Sequence, residues 1–422
     1  MRRSAVLHGH SLSSRGRVAM LACGFWALGA CSSDGPAPQP DAGADARLDS
    51  SHADLGKDGA GVDRIVSDTQ RPAPRWESFA GPTVWGHTAT LLDDGRVLVV
   101  GGGDEYKPVA EAWLFLPATS TFISGGKMSV GRRGHTATLL QDGRVLVAGG
   151  EKDHYDVYSS AEVFNPTKPV DQAWSLAKSM PGPRSGHSAV RLKDGRVLLA
   201  GGQGLSAPAT LDTLVIYDSV SDSWSAPIAK LSVPRDFFSA TLLESGKVLF
   251  AGGTASGTEV TWHDSMESFD PAAGTVAAPS AKLSGPRAFH TAHGLPGNKV
   301  LLVGGKCDGY GACKLKGDDL YDVVMDKVSS IAHFGTEPPM SHASCALLDG
   351  RVLIVGGEAA QHEKQVVVFS IATASWEELP AMSEGREHHS ATTLQDGSVL
   401  VVGGEPPSAT TPLTTAARLF NP

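Results

Sequence analysis

The sequence predicts an all-β fold, a seven-bladed β-propeller with four antiparallel strands in each blade. Three observations support this prediction. A strand-like run that ends in two glycines occurs seven times, first at residues 97–102 and last at residues 399–404. Its copies lie about 50 residues apart, a period typical of propeller blades and not of helical solenoids. Between the copies the chain contains short β-rich runs bounded by turn residues, with no helical period.

The second repeat illustrates the four strands of one predicted blade. His135 opens the first strand, and the pair Asp142-Gly143 marks the turn into the second strand at residues 145–150. Glycine suits this turn because it accepts a positive φ. A third strand follows at residues 161–166, and a fourth begins at Trp174. The second strand is apolar without alternation, as expected for a strand that neighbouring blades cover on both faces.

The two ends of the repeat region predict how the ring closes. The seventh repeat stops after its third strand, at residues 417–422, whereas the region opens with a segment around Trp76 that resembles the fourth strands. Long unpaired strand edges are seldom tolerated in proteins. We therefore expect the segment around Trp76 to complete the last blade.

These features resemble the kelch-repeat family, and more closely the bacterial kelch propellers related to the central domain of galactose oxidase. The resemblance covers residues 75–422 and rests on seven copies of the pattern H-x-x-x-L-L, D-G, V-L-x-x-G-G and F-N/D-P. It implies the propeller fold. It says little about chemistry, because one fold can carry many functions.

Residues 1–30 predict an export signal. Arg15 and Arg17 precede an apolar run at residues 18–30 that is too short to span a bilayer as a helix. The run leads into Leu-Gly-Ala-Cys at residues 28–31, which resembles the lipobox of bacterial lipoproteins. In that family the cysteine is lipidated, so Cys31 would become the mature N-terminus and anchor the chain to the outer membrane. An ordinary signal peptide with a chance cysteine is the alternative.

The rest of the chain divides into two predicted parts. Residues 31–74 are rich in Asp and Ala and have too little apolar surface to fold, so we expect a disordered stalk there. Residues 75–422 are expected to form the propeller, as a monomer. The net charge of -9 and the lack of a basic run argue against nucleic-acid binding.

The alternating strand direction assigns the loops to two faces. Loops after strands 2 and 4 of each blade lie on one face, and loops after strands 1 and 3 lie on the other. The loops after strand 2 differ in every repeat, as a binding surface on a fixed scaffold would. We call the first face the variable face and the second the turn face. The aromatic candidates for ligand binding on the variable face are Tyr106, Tyr155, Trp262 and Tyr310.

Five arginines recur three residues before the histidine of the first strand or its equivalent. In a ring they would surround the mouth of the central channel and favour an anionic or hydroxyl-rich ligand. The alternative is a structural role, in which they tie the blades together. Blades 1 and 6 have Val84 and Pro339 instead. The five candidates are Arg132, Arg184, Arg235, Arg287 and Arg386.

The histidines and cysteines suggest architecture more than chemistry. Phe238 replaces the first-strand histidine in the fourth repeat, and phenylalanine packs but cannot bind a metal. We expect no metal site and no cofactor. An exported protein meets an oxidising environment, so we expect a disulfide between Cys307 and Cys313 in one variable loop, with Cys345 as a buried reduced thiol.

General catalytic motifs are absent from the sequence. Neither H-E-x-x-H nor G-x-S-x-G occurs, and the chain has no Tyr-His dipeptide, which the galactose oxidase copper site would imply. We therefore expect a lipid-anchored, noncatalytic module whose variable face binds an unidentified saccharide, peptide or protein. The alternative is a carbohydrate-active enzyme that uses the same face, either of an epimerase or mutarotase type or a copper-radical oxidase.

Overall fold

The computed structural model describes residues 72–422, except for gaps at 104–106, 154–155, 206–209, 258, 309–314, 316, 335–338, 359–361 and 407–414. In these ranges the regular structure consists of strands, and no helix is long and apolar enough to cross a membrane. The predicted signal peptide, Cys31 and most of the predicted stalk fall on residues 1–71, outside the described ranges.

Apart from one two-stranded hairpin, the described strands form seven antiparallel sheets, one for each predicted blade, and the all-β propeller prediction is confirmed. Blade 1 contains β2 (Thr88–Leu91), β3 (Val97–Val100), β4 (Glu111–Leu116) and β5 (Thr121–Lys127). Blade 2 contains β6 (Arg133–Leu139), β7 (Val145–Asp153), β9 (Ala161–Phe164) and β10 (Trp174–Ala177), with β8 (Asp156–Val157) beside β7. Blade 3 contains β11 (Ser188–Arg191), β12 (Val197–Ala200), β13 (Thr213–Asp218) and a broken outer strand, β14 (Ser223–Trp224) and β15 (Ala229–Lys230).

The other four blades follow the same order. Blade 4 contains β16 (Ser239–Leu242), β17 (Val248–Ala251), β20 (Met266–Asp270) and β21 (Thr275–Ala277), and its variable loop forms a small hairpin from β18 (Thr254–Ala255) and β19 (Thr261–Trp262). Blade 5 contains β22 (Thr291–Leu295), β23 (Lys299–Val303), β24 (Asp318–Asp322) and β25 (Lys327–Ile331). Blade 6 contains β26 (Ala343–Ala346), β27 (Val352–Val355), β28 (Val366–Ser370) and β29 (Ser375–Glu378). Blade 7 contains β30 (Ser390–Thr393), β31 (Val399–Val402), β32 (Thr415–Phe420) and, as its outer strand, β1 (Arg75–Ala80).

Blade 7 closes the ring as the sequence predicts. Strand β1 pairs with β32 over its whole length, with Arg75 opposite Phe420 and Trp76 opposite Leu419. The Trp76 indole donates to the carbonyl of Pro380 in the preceding blade at 2.7 Å. The outer-strand indole of Trp174 makes the equivalent bond to the preceding blade, at 2.8 Å from the carbonyl of Gly125. The N-terminal strand therefore has the same place as the fourth strands of other blades.

The first strands lie innermost and contact one another around the whole ring, from β2 next to β6 to β30 next to β2. The second strands lie behind them and provide the core. Each of their apolar residues is at most 3% exposed, because blades on both sides cover it. Burial of this apolar surface is the main favourable contribution to folding.

The glycine pair at the end of each second strand joins its blade to the next. The amide of the second glycine donates to a carbonyl that precedes the first strand of the following blade. A side chain on the first glycine would collide with that blade: a Cβ at Gly149 would lie 2.3 Å from the Arg184 carbonyl oxygen. Both glycines also have positive φ. The seven links are Gly102–Arg132, Gly150–Arg184, Gly202–Arg235, Gly253–Arg287, Gly305–Pro339, Gly357–Arg386 and Gly404–Val84.

The first-strand histidines form a second set of links between blades. Each ring packs over the first glycine of the preceding blade, as His135 does over Gly101. In five blades the Nε2 atom also bonds to a hydroxyl of the preceding blade, at 2.8–3.0 Å. His389 lacks this bond because the equivalent residue in blade 6 is Ala343. The five pairs are His87–Ser390, His135–Thr88, His187–Thr136, His290–Ser239 and His342–Thr291.

Replacing Gly149 with alanine should destabilise the propeller. The residue has φ of 65°, and the new Cβ would overlap the Arg184 carbonyl. A left-handed conformation alone costs an alanine about 1–2 kcal/mol, so we expect G149A to lower the free energy of unfolding by at least about 2 kcal/mol in urea denaturation. A Cβ added at Gly182 would meet no atom within 4 Å, so G182A is the matched control and should change stability by less than about 0.5 kcal/mol. Equal effects of the two substitutions would contradict the link.

The buried histidines should make stability fall in acid. Burial lowers the pKa of His87 and His342 to about 4 and of His290 to about 3, with the nearby Arg287 and His342 lowering His290 further. The folded state therefore keeps these rings neutral, whereas the unfolded chain protonates them below a pH of about 6.5. This stability is complete above pH 6.5 and is lost progressively as the pH falls towards 4.

Substitution of one histidine provides the test of that pH dependence. Between pH 5.5 and 4.5, H290Q should lose about 1.4 kcal/mol less per pH unit than the unaltered chain, because one fewer proton is taken up on unfolding. Urea denaturation at several pH values measures the two slopes. Burial raises the pKa of Asp236 to about 6, so its contribution to stability changes with pH in the opposite direction. Asp236 is present in both chains, and its contribution therefore cancels in the comparison. Parallel slopes would show that His290 is protonated in the folded state.

Candidate functional site

The variable face carries a ring of seven equivalent residue pairs around the central channel, which we call the rim. In each pair, the residue two before the first-strand histidine, or before Phe238, forms an antiparallel bridge with the residue after the glycine pair of the same blade. This bridge is isolated in six blades and is part of the β6–β7 pairing in blade 2. The backbone geometry repeats, but the side chains do not. The pairs are Trp85–Gly103, Arg133–Glu151, Ser185–Gln203, Asp236–Thr254, Ala288–Lys306, Met340–Glu358 and Glu387–Glu405.

The rim differs in solvent exposure around the ring. In blade 4 both side chains of the pair are buried, and Asp236, which is 0% exposed, bonds to the hydroxyl of Thr254 and to the amide of the partly exposed Gln203 in blade 3. From blade 5 through blades 6, 7 and 1 to blade 2, at least one side chain of each pair is partly or fully exposed. This exposed arc, as we call it, contains Lys306, Met340, Glu358, Glu387, Glu405, Trp85 and Arg133.

In each blade, the residue after the first member of the rim pair has a left-handed backbone conformation and leads into the first strand. In blades 1, 2 and 3 this residue is glycine, as at Gly134 with φ of 64°. In the other four blades a side chain occupies the same conformation, at a cost of about 1–3 kcal/mol each. These four residues are Phe237, Phe289, Ser341 and His388. Their side chains make the channel entrance differ from blade to blade.

Aromatic side chains cluster beside the rim at blades 4 and 5. Phe237 and Phe289 stack with ring centroids 4.5 Å apart. Both are buried, and the partly buried Trp262 packs against them. Trp262, predicted as a ligand contact, therefore packs mainly against this aromatic cluster.

Carboxylates gather around an imidazole at blades 6 and 7. His388 is buried, and its Nδ1 lies 2.7 Å from a carboxylate oxygen of Glu405. The Oε2 atom of Glu387 is buried and has no hydrogen-bond partner. Burial, and then the carboxylates of Glu358, Glu405 and Glu363, raise the pKa of Glu387 to about 7, against the opposing effect of His388. We call Glu387, His388 and Glu405 the blade 7 cluster.

Trp85 connects this cluster to blade 2. Its ring centroid lies 5.9 Å from that of His388, and the guanidinium of Arg133 lies over the indole, 5.4 Å from the ring centroid. A cation over an indole is attracted to the ring. The exposed arc thus runs from carboxylates to an aromatic ring and then to a basic residue.

The five predicted arginines do not line the channel mouth. Each is at most 2% exposed, and each donates to the carbonyl of the first glycine at the end of its own second strand, as Arg132 does to Gly149 at 2.7 Å. The other four donate to Gly201, Gly252, Gly304 and Gly403. The structural alternative fits these contacts, and the ligand-binding prediction has no exposed guanidinium to support it.

Carboxylates inside the blades explain how three of these arginines are buried. Arg132 pairs with Glu162 at 2.8 Å, and the equivalent pairs are Arg235–Glu267 and Arg287–Asp319, both at 2.9 Å. Arg184 lacks such a partner, and burial lowers its pKa to about 10. A buried ion pair satisfies both charges where either alone would be costly. The charge of these three arginines is therefore directed into the blade, whereas the exposed arc carries the carboxylates of Glu358, Glu387 and Glu405 beside Lys306 and Arg133.

Several sequence candidates lie outside the described residues. Tyr106, Tyr155, Tyr310 and Cys313 are among them, as is Cys31. Cys307 is disulfide-bonded, and Cys345 is buried in a first strand outside any disulfide. The pairing of Cys307 with Cys313 stays a prediction.

The rim itself was missed in the sequence analysis. The first residue of each rim pair directly follows the position of the recurrent arginines, which is Val84 in blade 1 and Pro339 in blade 6. These residues are Trp85, Arg133, Ser185, Asp236, Ala288, Met340 and Glu387. The available signal was contrast: a position whose chemistry changes in every repeat lies between the recurrent arginine and the first-strand histidine. The repeated arginine drew attention instead, because repetition suggests a ring but not the direction of its side chains.

Comparisons with known proteins agree with this architecture. The KLHDC2/KLHL20/DRC7 Kelch-repeats domain model matches residues 86–305, and the Kelch motif model matches residues 339–383. Adagio-like protein 1 of Oryza sativa subsp. japonica is 25% identical over 352 residues, which cover 74% of this chain and 46% of that protein. An adagio-like protein 2 of the same organism is 26% identical over 221 residues, 46% of this chain and 33% of that protein. The chain thus spans less than half the length of these curated relatives.

A solved structure shares the fold. A novel fungal alcohol oxidase of the AA5 family, in complex with copper, aligns with a TM-score of 0.64 at 16% identity, over 83% of this chain and 76% of that one. At this identity the likeness concerns the fold alone. With seven four-stranded blades and a Kelch-repeats model that matches more than half of its length, the chain belongs to the kelch-repeat family of β-propellers.

Proposed function

We propose that this propeller is a lipid-anchored, noncatalytic interaction module that binds a protein or peptide partner through the exposed arc of its rim. The observation that carries this proposal is the contrast between backbone and side chains at the rim. Seven pairs share one bridge geometry, while their side chains differ in charge, size and polarity. Variable side chains on a rigid scaffold are typical of recognition surfaces.

The chemistry of the exposed arc suits a partner of mixed character. Trp85 offers an aromatic surface between the acidic residues of blade 7 and Arg133 of blade 2. Aromatic residues and arginine are the types that contribute most to protein interfaces. A saccharide could stack on Trp85, but the charges on both sides of it favour a polypeptide.

The path of the chain into the propeller is compatible with such a display. Because β1 starts opposite Phe420, at the end of the third strand of blade 7, residue 75 lies on the turn face. The carbonyl of Pro422 accepts from Arg351, whose turn connects the first two strands of blade 6 on the same face. A tether that precedes Arg75 would therefore leave from the turn face, and the rim would point away from the anchor.

A carbohydrate-active enzyme that uses the same face is the second candidate. The close pair of His388 and Glu405 favours it, since an imidazole oriented by a carboxylate can accept and donate a proton. Catalysis would show as conversion of aldoses or oxidation of primary alcohols by the purified chain, with loss of turnover in E405Q. A binding module would leave both classes of compound unchanged.

Site-specific photo-crosslinking should locate the partner on the exposed arc. A photoreactive amino acid in place of Glu358 should form adducts in the cells that make the protein, whereas the same group at Val220 should form none. Glu358 lies on the exposed arc, and Val220 is 95% exposed at a tip of the turn face. The measurement is a shift of the tagged chain to higher mass on a denaturing gel.

A charge reversal makes the crosslinking test specific. R133E should remove the adduct at position 358, because Arg133 lies on the exposed arc. R144E, on the turn face beside Asp142, is the matched control and should leave it intact. Adducts that form at Val220 instead, or that survive R133E, would contradict the proposal.

The proposed lipid anchor predicts that loss of the Cys31 thiol changes the cell fraction in which the chain is found. C31A should move the chain from the membrane pellet to the soluble fraction, because the acyl-bearing residue is removed. C23A lies in the predicted signal and serves as the control that should leave the chain in the pellet. Detergent phase partitioning measures both. A C31A chain that still partitions with lipid would refute anchoring through this residue.

A further inference from the structure

We propose that the blade 7 cluster binds a divalent metal ion of the zinc type, with Glu387, His388 and Glu405 as its ligands. One possible ligand atom from each residue lies within 4.8 Å of the other two. Mixed imidazole and carboxylate ligands are common for zinc, which typically takes three protein ligands and leaves one position open. This proposal departs from the sequence expectation of no metal site, which did not consider these three residues.

The buried oxygen of Glu387 is the second observation that points to a cation. Its Oε2 has no hydrogen-bond partner although it is buried, and a buried carboxylate oxygen without a donor is costly. His388 beside it is also nearly buried, with 7% of its side chain exposed. A cation between the three groups would give this oxygen a partner and offset the repulsion between the two carboxylates.

The spacing of His388 and Glu405 is close to that of two ligands on a small ion. The Nδ1 atom of His388 lies 2.7 Å from Oε1 of Glu405. Two ligands at about 2.0–2.1 Å from a tetrahedral zinc lie about 3.3 Å apart. Insertion of the metal therefore requires the two groups to separate by less than about 1 Å, which rotation of the Glu405 side chain can provide.

The backbone holds all three proposed ligands in place. Glu387 and Glu405 are bridge partners, joined by two backbone hydrogen bonds of 3.1 and 2.9 Å. The amide of His388 donates to the carbonyl of Ser341 at 3.0 Å. Ligands on rigid elements keep their geometry better than ligands on free loops. The site would therefore require little ordering when the metal binds.

The cluster is particular to one blade, unlike the architectural histidines. Among the seven rim pairs that the structure describes, Glu387–Glu405 alone consists of two carboxylates. The left-handed residue between Glu387 and the first strand is glycine in three blades and histidine only here. Neither feature is required for ring closure, because the other blades pack together without it.

Zinc titration of the purified full chain, stripped beforehand with a chelator, tests the proposal. Calorimetry should show one saturable site. Loss of a ligand in E405Q should weaken it by about 100-fold or more, since loss of even an outer partner of a ligand costs about 10–100-fold. E378Q removes the same charge from an exposed position on β29 and is the matched control, with unchanged affinity expected.

Cobalt substitution provides an independent readout of the ligands. Cobalt in the site should give a visible absorption band, and H388N should change the band by removing the one nitrogen ligand. Melting curves recorded without metal identify any variant that fails to fold, and E387Q then replaces it in the comparison. No saturable binding in the unaltered chain, or equal binding in E405Q and E378Q, would overturn the proposal.

Discussion

The propeller depends on one hydrogen bond that is repeated around the ring, from the amide of the second glycine of each blade to the carbonyl that precedes the next first strand. All seven bonds measure 2.8–3.1 Å, including the Gly404–Val84 bond that joins the last blade to the first. The bond requires a positive φ and residues without a side chain, so that the backbone and the first-strand histidine of the next blade can approach the glycines. The glycine pairs are therefore a condition of blade packing.

The same link separates architecture from recognition along the chain. Arg132 presents its carbonyl to the preceding blade and its side chain to its own blade, so its main-chain carbonyl and its guanidinium both have structural roles. Arg133, the next residue, is fixed in position by a bridge to Glu151, and its side chain lies on the exposed arc. Successive residues thus have different tasks, and the second can change without disturbing the first. This arrangement explains how a strongly repeated sequence can present a surface that does not repeat.

The sequence was informative wherever the fold repeats. Blade number, strand order and closure by the segment around Trp76 all follow from periodicity, because a shared spacing implies a shared structure. The direction of the Arg132 side chain could not be obtained this way, since the same spacing fits a residue that faces the channel or its own blade. Glu162 was a usable hint, because a carboxylate in an otherwise apolar strand requires a buried cation.

The blade 7 cluster was harder to predict for a different reason. His388 and Glu405 are 17 residues apart in sequence, and a left-handed backbone at His388 determines where the imidazole lies. Neither the turn nor the bridge that brings the pair together has a sequence motif. The described structure therefore adds most at positions where single residues depart from the repeat.

The pairing of β1 with β32 also determines how the propeller would respond to a force applied to the polypeptide before Arg75. Six residue pairs, from Arg75–Phe420 to Ala80–Thr415, join these antiparallel strands. A force directed along β1 from its N-terminal end acts in shear, so it loads these pairs together and does not peel them apart one at a time. The strand that completes the ring is thus also the mechanical coupling between the propeller and whatever holds its N-terminal side.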